Sequence, residues 1–154
     1  MFDAPLDTWY VWLGLGLVSV AVAGTALSLP TAAPPSPGPV ADAIDEVASS
    51  PGSARARVTL SASRIRLAPR ELALRSDGGT ARARFAFGPV TPVDSGPLAR
   101  VLHGRPPASA FPSKTAFRDA LRAARRESPR WRPAPDGLTA RRVRWGDVDA
   151  TLVG

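Results

Sequence analysis

The sequence predicts an α+β protein: an N-terminal transmembrane helix, a Pro-rich spacer, and a small antiparallel sheet packed by one main helix. Three observations predict it. Trp9 to Leu29, WYVWLGLGLVSVAVAGTALSL, runs 21 residues without a charge. Apolar residues then alternate between Val58 and Phe87, the period of strands with one buried face. Finally, Phe117, Ala120, Leu121 and Ala124 recur at helical spacing. Together these divide the chain into a short polar tail at 1–8, a transmembrane helix at 9–29, a linker at 30–39 and an α+β domain at 40–154 with its core at 55–154.

As a helix rising about 1.5 Å per residue, the uncharged run reaches roughly 31 Å, close to the bilayer's hydrocarbon thickness of about 30 Å. A buried helix of a soluble core needs only about 10–14 apolar residues and a larger domain to cover them. Trp9, Tyr10 and Trp12 cluster at the start of the run, where rings with one wet polar end favour the membrane interface. Pro30 marks the other end, because proline lacks the amide a helix needs and restricts the residue before it. A cleaved signal peptide is the competing reading, and Ala21-Val22-Ala23 and Ala26-Leu27-Ser28 resemble cleavage sites. Met1 to Thr8, however, carries Asp3 and Asp7 and no base, the reverse of a signal peptide's opening. A retained single-pass anchor is the expectation. Gly24 with Ser28 and Ser19 with Ala23 are spaced for close helix approach, but such pairs are common in any Ala- and Gly-rich span. No ionisable group lies inside the run, which argues against a proton or ion path through it.

Pro30 to Pro39 holds five prolines and predicts an extended, semi-rigid spacer. A short helix follows from Val40 to Ser49, with Val40, Ile44 and Val47 inward and Asp42, Asp45 and Glu46 opposite, ended by Ser50-Pro51-Gly52. Val58 with Leu60, Ile65 with Leu67, Leu72 with Leu74, and Ala81, Ala83, Phe85 and Phe87 then predict an antiparallel meander with one apolar face. Ser76-Asp77-Gly78-Gly79 supplies a hairpin turn and Ala68-Pro69 another break. The prolines of Gly88 to Pro92 end the meander. Leu98, Val101 and Leu102 predict a helical turn. The main helix lies between Ser113, its N-cap, and Ser128. Its stripe is expected to cover the meander, with Trp131 sealing an edge. Two final strands, Leu138 to Trp145 and Val148 to Val153, join through Gly146-Asp147.

The composition excludes several chemistries. The chain has no cysteine, hence no disulfide or thiolate. His103 is the single histidine and Lys114 the single lysine, so a metal site is hard to build. Gly78-Gly79 lacks the glycine, lysine and hydroxyl of a nucleotide loop, and no Gly-x-Ser-x-Gly elbow occurs. Asp147 and Asp149 read as a solvated pair, Ser113 and Lys114 point apart on a helix, and His103 reads as a loop residue. The expectation is a non-enzyme without cofactor, metal or small-molecule substrate.

Charge is unevenly divided: residues 1–54 carry −5 and residues 55–154 carry +12. The base nearest the span is Arg55, beyond the window of about 15–20 residues in which basic residues set orientation. The basic domain favours the cytoplasm; the short tail, spacer and small module favour export, and an extracytoplasmic domain is adopted. Arginines on the polar side of the meander are the functional signal: Arg64, Arg66, Arg82 and Arg84, with Arg75 beside them, can meet anionic headgroups, an acidic protein or nucleic acid. Against nucleic acid stand the lack of aromatics interleaved with these arginines and of any recognised binding motif. The expected partners are the bilayer and membrane or surface proteins.

The opening MFDAPLDTWYVWLGLGLVSVAVAGTALSLPTAAPP, the internal FAFGPVTPV and the closing DVDATLVG resemble a family of short single-span proteins of haloarchaea, of unknown function and loosely associated with pilus or secretion-type surface machinery. The resemblance covers nearly the whole chain and carries over no catalytic residue. It implies an accessory structural or interaction protein of a surface assembly; a polyanion-binding module is the alternative. Type IV prepilins begin with a basic stretch and processing site, which the acidic opening here lacks.

Overall fold

The computed structural model describes residues 13–20 and 32–154. Contacts divide the chain into Met1–Ala32 and Ala33–Gly154. In the first unit, residues 13–20 are helical, and Leu13, Leu15, Leu17, Val18 and Val20 are each 52–73% exposed. The rest of the expected span, with Trp9, Tyr10 and Trp12, lies outside the described residues, and among these no helix is long and apolar enough to cross a membrane.

The second unit is α+β, with two four-stranded sheets. In chain order it runs α1 (Gly38–Ser49), β1 (Arg55–Thr59), β2 (Arg64–Leu67), β3 (Glu71–Ser76), β4 (Gly79–Arg84), β5 (Thr91–Pro92), α2 (Gly96–Leu102), α3 (Pro107–Ala110), α4 (Lys114–Arg126), β6 (Arg132–Pro133), β7 (Gly137–Trp145) and β8 (Val148–Val153). The first sheet has the order β1-β7-β8-β5 and the second β4-β3-β2-β6. All pairings are antiparallel except β5 with β8.

The expected single sheet is therefore two. The hairpins β2-β3 and β3-β4 form as the alternation predicts, but β1 leaves the meander and pairs with β7. In the β3-β4 turn the positive φ falls on Gly79, at 122°. In the first sheet, β7 and β8 are packed on both faces, while the edge strand β1 leaves Arg55 and Arg57 exposed. Leu138, Ala140 and Val153 join Ile65, Leu67, Leu72, Leu74 and the α1 residues Val40, Ile44 and Val47 in one core. From the other face Val143, Val148, Ala150 and Leu152 pack with α2 and with Phe117 and Leu121 of α4. So α4 does not cover the meander: α1 and the first sheet already do. It covers the far face of the first sheet, where Phe117 meets Phe111 at 5.2 Å and Trp145 at 6.0 Å between ring centroids. Ser113 caps α4 as expected, its Oγ accepting from the Ala116 amide at 3.1 Å.

The described part of the proline-rich stretch, residues 32–39, is more folded than a spacer. Pro35 and Pro37 are buried, and α1 begins at Gly38 with Pro39 in its first turn, where a missing amide costs nothing. At the far end of the second sheet, β4 is an edge strand bearing Arg82 and Arg84.

Candidate functional site

Partners across an antiparallel ladder project to the same face. The register Arg64↔Arg75, Arg66↔Ala73↔Arg82 and Glu71↔Arg84 thus puts Arg64, Arg66, Arg75, Arg82 and Arg84 together on the outer face of the second sheet. The four arginines expected to make contacts are all there. Arg64 opposite Arg75 sets like charge against like, which is unfavourable alone. Trp131 relieves this arrangement: the Arg75 guanidinium lies 4.5 Å and that of Arg66 5.6 Å from its ring centroid. Each such cation–π contact contributes about 0.5–1 kcal/mol at an exposed site. Arg64 Nη2 also donates to the Trp131 carbonyl at 3.4 Å, and Arg75 Nε donates to Thr80 Oγ1 at 3.1 Å. Arg66 pairs with Glu71 at 2.8 Å. Arg82 and Arg84 are exposed and, among the described residues, have no carboxylate within ion-pairing distance.

This corrects one expectation. Trp131 does not simply seal an edge; it interleaves an aromatic ring with the arginines. The sequence hid this because β6, which leads Trp131 onto the sheet by pairing Arg132 and Pro133 with Ile65 and Arg64, is only two residues long.

The first sheet uses its arginines differently. Arg142 Nε and Nη2 grip Asp149 at 3.1 and 2.7 Å, and Arg144 reaches the same carboxylate at 3.0 Å. Arg142 Nη1 also donates to the carbonyls of Ala48 and Ser50, where a cation caps the electronegative end of α1. The hydrogen bond from Arg142, seconded by Arg144, holds the Asp149 carboxyl below its usual range despite burial, and Asp149 in turn raises Arg142. Arg141 donates to the carbonyls of Val101 and Arg105, tying α2 to β7. Arg125, on α4, donates from Nε to the buried Thr91 hydroxyl at 2.8 Å, and burial lowers its pKa.

Asp45 is another correction. Expected on the polar side of α1, it is buried, and its carboxylate accepts the Ala86 amide at 2.9 Å and the Phe87 amide at 3.1 Å. The strand stops at Arg84, and Phe87 is exposed rather than part of the apolar face. The signal was Ala41: buried one turn earlier, it widens the inward stripe to include Asp45.

The other sequence candidates have structural tasks. Asp147 pairs with Arg118 at 2.5 Å and Asp149 with Arg142, so neither carboxylate is free for a cation. Ser113 caps a helix, and His103 is the exposed residue ending α2. Among the described residues no three His, Cys, Asp or Glu side chains gather as metal ligands.

Fold and surface thus define a small α+β protein with an arginine-faced sheet organised around one tryptophan. The chain belongs to the Family of unknown function (DUF7283), whose model matches residues 3–143. Neither the curated proteins nor the solved structures compared with it gave a match.

Proposed function

We propose that this chain is a membrane-anchored, non-enzymatic interaction protein whose second sheet presents its arginine face to an acidic partner protein. The observation that carries the reading is the outer face itself: five arginines, with Trp131 holding two of them and Arg82 and Arg84 left uncommitted. Anchoring is supported by the uncharged run of 21 residues and by the exposed apolar side chains of helical residues 13–20. Trp9, Tyr10 and Trp12 would sit at the membrane interface. The motifs quoted above suggest an accessory role in a pilus- or secretion-type assembly, with the domain extracytoplasmic.

The experiment is affinity purification of the full chain from membranes in mild detergent, alongside the double variant Arg82→Ala/Arg84→Ala. Recovery of an acidic membrane or surface protein with the wild type, and its loss with the variant, supports the reading. Equal recovery with both overturns the role of the face, and full-length protein in the aqueous fraction after carbonate washing overturns the anchor.

A second reading, a polyanion binder, is favoured by one specific observation. A tryptophan ring flanked by guanidinium groups is the kind of platform on which nucleobases stack beside phosphates. It requires salt-sensitive binding of the detergent-solubilised chain to single-stranded DNA or anionic vesicles.

A further inference from the structure

Opposed residues of an antiparallel ladder alternate between hydrogen-bonded and non-hydrogen-bonded pairs. The Phe85 amide donates to the Arg70 carbonyl at 3.0 Å, just beyond the last pair of β3 and β4. The pairs that alternate with it, Ala83–Leu72 and Ala81–Leu74, are therefore the bonded ones. Thr80, Arg82 and Arg84 accordingly aim their amides and carbonyls away from β3, over the open edge of the sheet. Among the described residues, no backbone hydrogen bond joins these groups to another element. A row of unpaired groups of this kind is a template for an incoming strand.

The two faces of β4 say what such a strand carries. Arg82 and Arg84 have outward backbone groups and place their side chains on the arginine face. A residue paired with either one meets a guanidinium group that has no carboxylate within ion-pairing distance among the described residues. On the opposite face Ala83 lies beside Leu72 and Ala81 beside Leu74. Both leucines are buried in the core, whereas the two alanines stay half-buried outside it. The core is thus left unfinished at β4, with small side chains where apolar ones of an added strand could pack. The other long edge, β1, has no such gap, because its Ala56 and Val58 pack against the core.

We infer that the edge of β4 takes an antiparallel strand from an acidic partner protein. Acidic residues of that strand lie opposite Arg82 and Arg84, and apolar residues alternate with them on the side of Ala81 and Ala83. The inference rests on the arginine-face reading proposed above and adds main-chain pairing to it. The ladder supplies affinity, and the alternation of acidic and apolar side chains supplies the choice of partner.

The test is calorimetric titration of the full chain in neutral detergent micelles with an end-capped peptide of alternating glutamate and valine. In the inferred pairing the glutamate amides face β4 and the valine amides face away. Two N-methylated forms of the peptide, one blocked at the glutamates and one at the valines, therefore carry the same charge but differ in what they offer the edge. Blocking the glutamate amides should weaken binding at least about tenfold through the lost main-chain bonds, and blocking the valine amides should leave it unchanged. Arg82→Ala/Arg84→Ala should also weaken binding, whereas Arg55→Ala/Arg57→Ala on β1 should bind as the wild type does. Equal binding of all three peptides overturns strand addition and leaves the arginine face standing as a charged docking surface. Parent-peptide binding that ignores Arg82→Ala/Arg84→Ala overturns both. No binding of the parent peptide, greater sensitivity to the valine block, or displacement by the peptide of a self-associated chain, which would give the edge to a second copy, overturns the inference.

Discussion

Two arginines of β7 and the arginines of the second sheet spend the same residue in different ways. In the first sheet, Arg141 and Arg142 are internal ties: their guanidinium groups satisfy helix-end carbonyls and Asp149, and β7 and β8 are covered on both faces. In the second, Arg64, Arg66, Arg75, Arg82 and Arg84 share one uncovered face with a single tryptophan and a single paired glutamate. With nineteen arginines in the chain, composition alone does not separate the two uses. Placement does: an arginine whose donors meet protein acceptors is tied into the fold, and one that meets only solvent, as Arg82 and Arg84 do, is available to a partner.

That contrast can be broken most directly at Phe117. Its ring is fully buried between the first sheet and α4, so Phe117→Ala should destabilise the domain by about 3–5 kcal/mol in denaturant unfolding. A cost no greater than that of Arg82→Ala would mean that the first sheet is not the covered centre described. Next comes Asp45, which ties α1 to the segment leaving the second sheet. Asp45→Ala strands two amides and should cost about 1.5–3 kcal/mol by the same measurement; an unchanged midpoint would detach that segment from α1.

Acid sharpens the comparison further. The carboxyl of Asp149 has its folded pKa depressed by Arg142 and then Arg144. Its stabilising contribution is therefore complete above its unfolded pKa of about 3.9 and is lost as pH falls through the lower folded value. Urea midpoints followed from pH 6 down to about pH 2 should fall less steeply for Asp149→Asn than for the wild type. Parallel curves would remove the arginine–aspartate tie from the first sheet's account. The smallest expected effect on stability is at the outer face, where Arg82→Ala and Arg84→Ala should stay within about 0.5 kcal/mol. A larger loss would make these arginines structural like those of the first sheet.

Much of the fold was legible because the core is patterned locally. Val40, Ile44 and Val47 mark α1, the 2-residue period marks β2 to β4, and Ser113 with Phe117 and Leu121 marks α4. What escaped was long-range. Nothing near Val58 tells that β1 prefers β7 to β2. Two-residue strands such as β5 and β6 carry no period at all. The apolar residues of β7 were the available clue: Leu138 and Ala140 fall on one parity and Val143 on the other, as in a sheet buried on both faces. The arginine face was legible to the residue, since alternation fixes which side chains share a face. Its tryptophan was not, because the strand that carries it onto the sheet is only two residues long.

The edge position of β4 has a consequence for crowding. Were two copies to line up through this strand, Arg82 and Arg84 of each would be brought close to those of the other, at the cost that opposed like charges impose. Neighbouring copies would thus be discouraged from stitching into a continuous ribbon through this strand, whereas a strand bearing acids would meet no such charge penalty.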